Sequence, residues 1–138
     1  MIVVATNVVA YAWLKTTRNR DAMLLLEQEP EWHAPLLWRS EFRNVVLGEV
    51  RRKRLDASVA GNMVRSAERR FSGCEHLPSS DLVFRLAMES GCTAYDCEFV
   101  AVAQQLDLPL VTEDRALLKA FPKRAFNLKT ACEGLARE

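Results

Sequence analysis

The stretch of residues 93–118 constrains the fold more than any other, because its pattern predicts a helix, a short strand and a second helix in close succession. After Asp96, apolar residues recur at helical spacing, at Phe99, Val100, Ala103 and Leu106. Pro109 ends that helix, and Leu110 with Val111 forms an apolar run long enough for one buried strand. A buried strand between two helices is typical of a parallel sheet in an α/β fold.

The N-terminus predicts the same architecture. Residues 2–5 form a short apolar, β-branched run that indicates a central strand, and residues 8–14 continue as a helix. Thr6 and Asn7 lie between them and are both good helix caps. A strand that turns straight into a helix is expected at the start of an α/β fold.

The remaining elements follow from the same periodicities. Helices are predicted at 21–28, 36–54, 58–71, 79–88 and 130–137, and short strands at 32–34, 75–77 and 124–128. No repeat, linker or low-complexity tract divides the chain, so we expect a single domain over residues 1–138.

Composition excludes several classes of protein. The formal net charge is +1, so overall charge does not indicate a nucleic-acid or membrane partner. The first cation, Lys15, follows the N-terminal apolar run, which is the wrong order for a secretory signal peptide, and the longest apolar run, 8–14, is too short to span a bilayer. Four cysteines permit a disulfide framework by parity, but we expect reduced thiols and a cytoplasmic location.

Several common sites are not predicted. The cysteines form no C-x-x-C pair, so a zinc site is not expected. The five glycines are isolated, which excludes a P-loop and a dinucleotide fingerprint. His33 and His76 lie in predicted strands without a serine or cysteine partner evident in the sequence, so structural or surface roles are expected for both.

Acidic residues at the ends and faces of predicted elements are the candidates for chemistry. Glu41 lies on the apolar face of helix 36–54, three residues after Trp38, where a carboxylate is costly unless it is paired or binds a metal. An ion pair with Arg39 or Arg43 is the structural alternative.

Asp96 and Asp114 allow two interpretations. Asp114 follows a predicted strand, and ligands of parallel sheets bind outside the carboxyl ends of strands. Both acids also suit helix capping, and Thr93 with Asp96 has the spacing of a capping box. Clustered carboxylates, with Glu98 and Glu113 near by, repel unless neutralised. A divalent cation with oxygen ligands would neutralise them and suit phosphodiester hydrolysis.

The order of these segments resembles the PIN domain, and most closely the VapC-type toxins of bacterial toxin–antitoxin pairs. The matching segments are Ile-Val-Val-Ala-Thr-Asn at 2–7, Glu41 in a helix, Tyr95-Asp96 at the start of a helix, and Leu-Val-Thr-Glu-Asp at 110–114. The resemblance covers nearly the whole chain. It implies a three-layer α/β/α sandwich with a mainly parallel central sheet, a Mg²⁺- or Mn²⁺-dependent endoribonuclease, and a small antitoxin partner that blocks the site.

Carried over by position, the resemblance assigns Glu41, Asp96 and Asp114 to the acidic metal-binding and catalytic positions. Asn7 and Thr112 match the polar residues beside them.

One central position departs from the family, which has Asp at the end of the first strand where this chain has Ala5. An engineered inactivating substitution and a naturally degenerate enzyme both explain it. Either implies impaired metal binding and cleavage, because a methyl group offers no oxygen ligand.

Partners are predicted less directly. The run Arg51–Arg54 ends a helix, where cations favour the helix dipole, whereas Lys15, Arg18 and Arg20 flank the first helix and are candidates for RNA phosphate contact. Trp13, Trp32 and Trp38 look exposed and favour self-association as a homodimer, with a core role as the alternative.

Two alternatives remain for function. One is a degenerate, non-catalytic PIN module that binds RNA or a partner protein. The other is a different doubly wound enzyme or phospho-acceptor domain, which would need an acid after the first strand and a lysine after a late strand. The first lysine after Val111 is Lys119.

Overall fold

The computed structural model describes residues 1–134, which form one five-stranded sheet flanked by helices. The strands are β1 (Ile2–Val4), β2 (Trp32–Pro35), β3 (Glu75–His76), β4 (Leu110–Val111) and β5 (Ala125–Phe126). The helices are α1 (Thr6–Trp13), α2 (Asn19–Gln28), α3 (Trp38–Arg51), α4 (Ala57–Arg70), α5 (Ser80–Ser90), α6 (Ala94–Leu106), α7 (Arg115–Ala120) and α8 (Leu128–Cys132). The end of the predicted helix 130–137 lies outside the described residues.

The sheet has the order β3-β2-β1-β4-β5, and every strand pair is parallel. This confirms the predicted α/β class. The first strand of the chain lies at the centre, where Val3 pairs with His33 on one side and with Leu110 on the other. Its three residues are buried, as the apolar run at the N-terminus predicts.

The direction of the crossovers sets the layers. From β1 the chain moves outward to β2 and β3, then crosses back to β4 and β5 on the other side of β1. Right-handed crossovers in opposite directions place their helices on opposite faces of a sheet. Helices α1 to α4 therefore cover one face, and α5 to α7 cover the other, with α6 directly on β1, β2 and β4.

Aromatic side chains fill the layer between the sheet and α1, α3 and α4. Trp32 and Trp38 are fully buried, so the expectation that they are exposed is wrong. Trp38 packs against Phe71 with ring centroids 4.4 Å apart, and its indole N–H donates to Glu75 Oε2 at 2.8 Å. This hydrogen bond satisfies the buried N–H of Trp38, whereas the buried indole N–H of Trp32 has no hydrogen-bond partner within residues 1–134. Trp13 is partly buried and meets Trp32 edge-on.

The turn after β1 differs from its predicted form. Thr6 and Asn7 are not caps: α1 begins at Thr6, and Ala5 is the N-cap residue without a side-chain hydrogen bond. The two polar side chains act over longer distances. Thr6 Oγ1 donates to Glu41 Oε1 at 2.7 Å, and Asn7 Oδ1 accepts the backbone N–H of Glu113 at 3.4 Å.

Two further features bear on location and redox state. The four cysteines, Cys74, Cys92, Cys97 and Cys132, are all free thiols. Each helix within residues 1–134 lacks the length and apolar character needed to cross a bilayer.

Leu25→Ala tests the packing of α2. Leu25 is 1% exposed, so its truncation should cost about 2–5 kcal/mol of unfolding free energy. Leu24→Ala is the matched control, because Leu24 is the neighbouring residue of the same helix and is 41% exposed, and it should cost about 0.5 kcal/mol or less. Urea unfolding followed by tryptophan fluorescence measures both, and equal losses would contradict the packing described.

Candidate active site

A small crevice lies at the carboxyl ends of β1 and β4. The two strands are neighbours, and the chain leaves them toward opposite edges of the sheet, which is where open α/β sheets bind ligands. The crevice has a volume of about 130 Å³. Its lining residues are Ala5, Thr6, Asn7, Glu41, Asp96, Phe99, Thr112, Asp114 and Leu117.

The structure brings the three predicted acids together in this crevice from three different elements. Asp114 follows β4, and its Oδ1 accepts the backbone N–H of Leu117 at 3.1 Å as the N-cap of α7. Asp96 lies in the first turn of α6, where Thr93 Oγ1 accepts its backbone N–H at 3.0 Å. Glu41 lies in the first turn of α3. Asp114 thus caps a helix and also lines the crevice, whereas the cap of α6 is Thr93 and not Asp96. The roles of the three acids in catalysis and metal binding stay predictions.

Glu41 does not form the ion pair that was its structural alternative. Arg39 contacts Glu75 through two hydrogen bonds, from Nε to Oε2 at 2.5 Å and from Nη2 to Oε1 at 2.7 Å. Arg43 Nη2 contacts Glu68 at 3.2 Å. Both arginines of α3 therefore pair with other acids, in β3 and in α4, and within residues 1–134 none of Glu41, Asp96 and Asp114 makes an ion pair.

The crevice holds uncompensated negative charge. Burial raises the pKa of Glu41, and the charges of Asp96 and Glu98 raise it further, while the hydrogen bond from Thr6 opposes them. Burial also raises the pKa of Asp96, with Asp114 adding to the shift and Thr93 opposing it. Repulsion among partly desolvated carboxylates is therefore built into the fold.

The chemistry of this donor set suits a hard divalent cation, although within residues 1–134 the oxygens of Glu41, Asp96 and Asp114 do not all lie within 4.8 Å of one another. Carboxylate oxygens are the ligands that Mg²⁺ and Mn²⁺ prefer, and a cation would relieve the repulsion that adds to the effect of burial on both pKa values. The fit is incomplete at Ala5, which lines the crevice with a methyl group where a fourth carboxylate would reach it.

The predicted polar neighbours position the loop after β4. Thr112 is fully buried, and its Oγ1 accepts the backbone N–H of Asp114 at 3.1 Å. Asn7 holds the backbone N–H of Glu113. The Glu113 side chain accepts the backbone N–H of Leu128 at 2.7 Å, so it supports the loop and is not among the crevice lining.

The predicted RNA-contacting cations lie outside the crevice lining. Arg18 forms an ion pair with Glu113 and lies over the ring of Tyr11, with its guanidinium carbon 5.9 Å from the centroid. Lys15 is exposed, and Arg20 borders a separate groove along α2.

Sequence reasoning missed three lining residues. Thr6 was assigned to a cap, although its position directly after a buried strand is where sites of such folds lie. Phe99 and Leu117 are apolar residues one turn into the helices that carry Asp96 and Asp114, and their periodicity indicates only that they are buried.

The chain is similar in sequence to two proteins that are named as nucleases. It matches no model of a protein family. It is 36% identical over 98 residues to Exonuclease VapC9 of Pyrobaculum aerophilum, covering 71% of this chain and 72% of the relative. It is 28% identical over 124 residues to Ribonuclease VapC3 of the same organism, covering 88% of this chain and 95% of the relative.

Solved structures agree on the fold. The crystal structure of PAE2754 from Pyrobaculum aerophilum superposes with a TM-score of 0.77 at 25% identity, covering 99% of this chain and 97% of that one. FitAB bound to the IR36 DNA fragment superposes with a TM-score of 0.70 at 19% identity, covering 93% and 95%. A toxin–antitoxin complex from Klebsiella pneumoniae superposes with a TM-score of 0.66 at 18% identity, covering 93% and 98%.

The doubly wound parallel sheet, with acids gathered where its strand order reverses, defines the class as a PIN-like α/β domain. The chain belongs to the VapC family of PIN-domain proteins. This confirms the resemblance seen in its sequence.

Glu41→Gln tests the uncompensated charge. With EDTA present, we expect Glu41→Gln to raise the unfolding free energy at neutral pH. When a carboxyl group has a higher pKa in the folded protein than in the unfolded chain, the unfolding free energy falls as pH rises through the folded pKa. Gln removes this charge and keeps an oxygen that can accept the hydrogen bond from Thr6. The gain should shrink as pH falls through the carboxyl range, where the Glu41 side chain becomes protonated.

Glu113→Gln is the matched control for charge. Glu113 is paired with Arg18 and accepts a backbone N–H, so removing its charge should lower stability. Urea unfolding at several pH values measures both variants. Destabilisation by Glu41→Gln at neutral pH would show that the crevice is not electrostatically frustrated.

Proposed function

We propose that this protein is a metal-dependent endoribonuclease toxin of a toxin–antitoxin pair, weakened in this chain by Ala5. The observation that carries the proposal is the group of uncompensated carboxylates at the topological switch point. Membership of the VapC family supports nuclease chemistry, since its relatives are named as a ribonuclease and an exonuclease. RNA as the substrate, the metal and the impairment are the steps that the proposal adds.

Glu41, Asp96 and Asp114 are the residues that would hold Mg²⁺ or Mn²⁺. The chemistry that such an ion supplies when bound is charge stabilisation on phosphate oxygens and a more acidic water. Thr6 would orient Glu41 through its hydrogen bond, and Thr112 and Asn7 would hold the loop that carries Asp114. Phe99 and Leu117 would limit the access of bulk water to the acids.

Ala5 weakens this arrangement in two ways. It supplies no oxygen to the crevice, and as the N-cap of α1 it leaves the first turn without a side-chain acceptor. Loss of an outer partner of a metal site typically costs roughly 10- to 100-fold in affinity or activity, and a direct ligand should cost at least that. The fold itself should tolerate Ala5, because a buried methyl group carries no desolvation penalty.

Ala5→Asp should restore cleavage. We expect divalent-dependent cutting of single-stranded or loop RNA, at least about 10-fold faster than by this chain and suppressed by EDTA. Ala5→Asn is the matched control, since Asn also caps a helix but brings no carboxylate, and it should gain stability without comparable activity. Adding Asp114→Asn to Ala5→Asp should abolish the restored cleavage.

A different result would favour the alternative function. If well-folded Ala5→Asp, free of antitoxin, cuts nothing in a broad RNA panel, the nuclease proposal fails. The alternative function, a non-catalytic binding module, is also supported by Ala5. It predicts that the protein binds RNA or a partner protein without needing a divalent cation. Binding measured for the unmodified chain with and without EDTA separates the two functions.

Phosphate contact by Lys15, Arg18 and Arg20 is part of the proposal. Lys15 and Arg20 are exposed and free to meet RNA, whereas Arg18 would first have to leave Glu113. Lys15→Ala and Arg20→Ala should therefore weaken RNA binding and reduce its salt dependence more than Arg18→Ala does.

An antitoxin partner and a homodimer complete the proposed assembly in the cytoplasm. Self-association is supported by exposed apolar side chains on and beside α5 and α6, namely Leu77, Phe84, Met88 and Tyr95. Light scattering of the purified chain should give a dimer, and expression of the native operon should yield a small co-purifying protein. A monomer that purifies alone from that operon would contradict this assembly.

A further inference from the structure

A second group of metal-binding residues lies at the edge of the sheet formed by β2 and β3. Ala34 pairs with Glu75 and Pro35 with His76, so His33 lies beside Cys74. Side chains alternate between the faces of a sheet, so residues two apart share a face. Glu31, His33, Cys74 and His76 therefore point to one face, and Glu75 to the other.

The ligand atoms of this group lie close together. One donor atom from each of Glu31, His33 and Cys74 falls within 4.8 Å of the other two, and in the part of the chain that the structure describes this is the one such set. His33 Nε2 lies 2.9 Å from Glu31 Oε2. Donors around a tetrahedral zinc ion are about 3.3–3.8 Å apart, given the usual bond lengths. Small side-chain rotations would therefore close the set around an ion.

We propose that Glu31, His33 and Cys74 bind a borderline divalent transition-metal ion, Zn²⁺ above all, and that His76 orients His33 for this role. A thiolate, an imidazole and a carboxylate together suit zinc and disfavour Mg²⁺. Water would take the fourth position, because Glu31 is 49% exposed.

The pair of histidines has the arrangement that a metal-binding imidazole needs. His33 Nδ1 lies 2.8 Å from His76 Nε2, and the rings stack with centroids 5.1 Å apart. A ligating histidine usually donates its second ring N–H to a partner that fixes its orientation. His76 Nε2 lies where it can accept this bond.

Cys74 differs from the other three cysteines in the hydrogen bonding of its sulfur. The other three thiols contact a polar neighbour through sulfur, namely Ala116 O, Ser90 Oγ and Asp21 O. No such contact is found for Cys74 within residues 1–134. A thiol must lose its proton to bind a metal ion, so binding at Cys74 should strengthen as pH rises.

The two histidine contacts allow the protons to be accounted for. Before binding, they are compatible with a hydrogen on His33 Nε2 facing Glu31 and with donation from His76 Nε2 to His33 Nδ1, since the tautomer of each ring sets these roles. With the ion at His33 Nε2, the hydrogen of His33 lies on Nδ1 and that of His76 on its own Nδ1. In this arrangement the ring hydrogens only change position, and the one proton released comes from the Cys74 thiol.

Metal binding at this site would stabilise the pairing of β2 and β3 at the edge of the sheet. Strand β3 has only two residues, Glu75 and His76, and one of its faces is held by the contacts of Glu75 with Arg39 and Trp38. The proposed ion would join β2 to β3 on the opposite face. Since an ion that binds only the folded chain stabilises it, Zn²⁺ should raise the Tm.

This group is separate from the crevice. Glu31 precedes β2 at its amino end, whereas the crevice lies at the carboxyl ends of β1 and β4, and none of the four residues lines it. The crevice offers only oxygen ligands, and this edge offers sulfur and nitrogen as well. Metal binding at the β2–β3 edge is therefore expected whether or not the protein cuts RNA.

Cobalt titration of the metal-free, full-length chain under reducing conditions tests the site. We expect the near-ultraviolet charge-transfer band of a cobalt thiolate, saturating at one equivalent, displaced by Zn²⁺ and unaffected by excess Mg²⁺. Zn²⁺ should raise the Tm by several degrees and release about one proton per ion bound. Absence of the band, or its loss to Mg²⁺, would overturn the proposal.

Variants assign the ligands. Cys74→Ser should abolish the band. Cys132→Ser is the matched control, because Cys132 is also a partly buried free thiol but is not part of the proposed site, and it should keep the band. His76→Gln should keep the band but weaken affinity roughly 10- to 100-fold. Glu31→Gln, at an exposed position that tolerates substitution, should also keep the band and weaken affinity. A band that survives Cys74→Ser, or affinities unchanged by both Glu31→Gln and His76→Gln, would refute the assignment.

Discussion

The pairing of β1 with β4 at the centre of the sheet is the constraint on which the rest of the structure depends. Val3 beside Leu110 and Val4 beside Val111 join the start of the chain to a segment near its end. The residues that follow each strand consequently share one crevice, although more than a hundred positions separate them. Burial of these apolar strands supplies the driving force, and the site is its geometric consequence.

Two glutamates show how the fold treats negative charge near this junction. Glu113 is matched by Arg18 and by a backbone N–H, so it serves the loop that it belongs to. Within the described residues, the Glu41 carboxylate accepts a hydrogen bond from the Thr6 hydroxyl alone, while burial and Asp96 act against its charged form. The difference is not one of residue type. It lies in which arginines reach each carboxylate, because Arg39 and Arg43 pair with Glu75 and Glu68 and not with Glu41.

The same alternation of strand side chains that buries the core also creates the polar group at the β2–β3 edge. Trp32 and Ala34 point into the aromatic layer, so Glu31 and His33 must point to the other face. The pairing of β2 with β3 then sets Cys74 and His76 beside them. An edge strand of two residues with few neighbours leaves that face open enough for polar chemistry.

Local signals in the sequence determined the α/β class and most element positions. The apolar run at residues 2–5, the strand at Leu110 and Val111, and the cap formed by Asp114 depend on neighbours only a few residues away. The acids of the crevice were also predictable, because strand ends and helix faces are readable locally. Only the tertiary structure decided the contacts between distant segments. Thr6 donates a hydrogen bond to Glu41 and is not a cap, and Arg39 and Arg43 pair with other acids. Trp32 and Trp38 are core residues, and His33 lies beside Cys74 and His76. Each of these depends on strand register and helix packing between segments far apart in the chain, and periodicity within a segment carries no information about them.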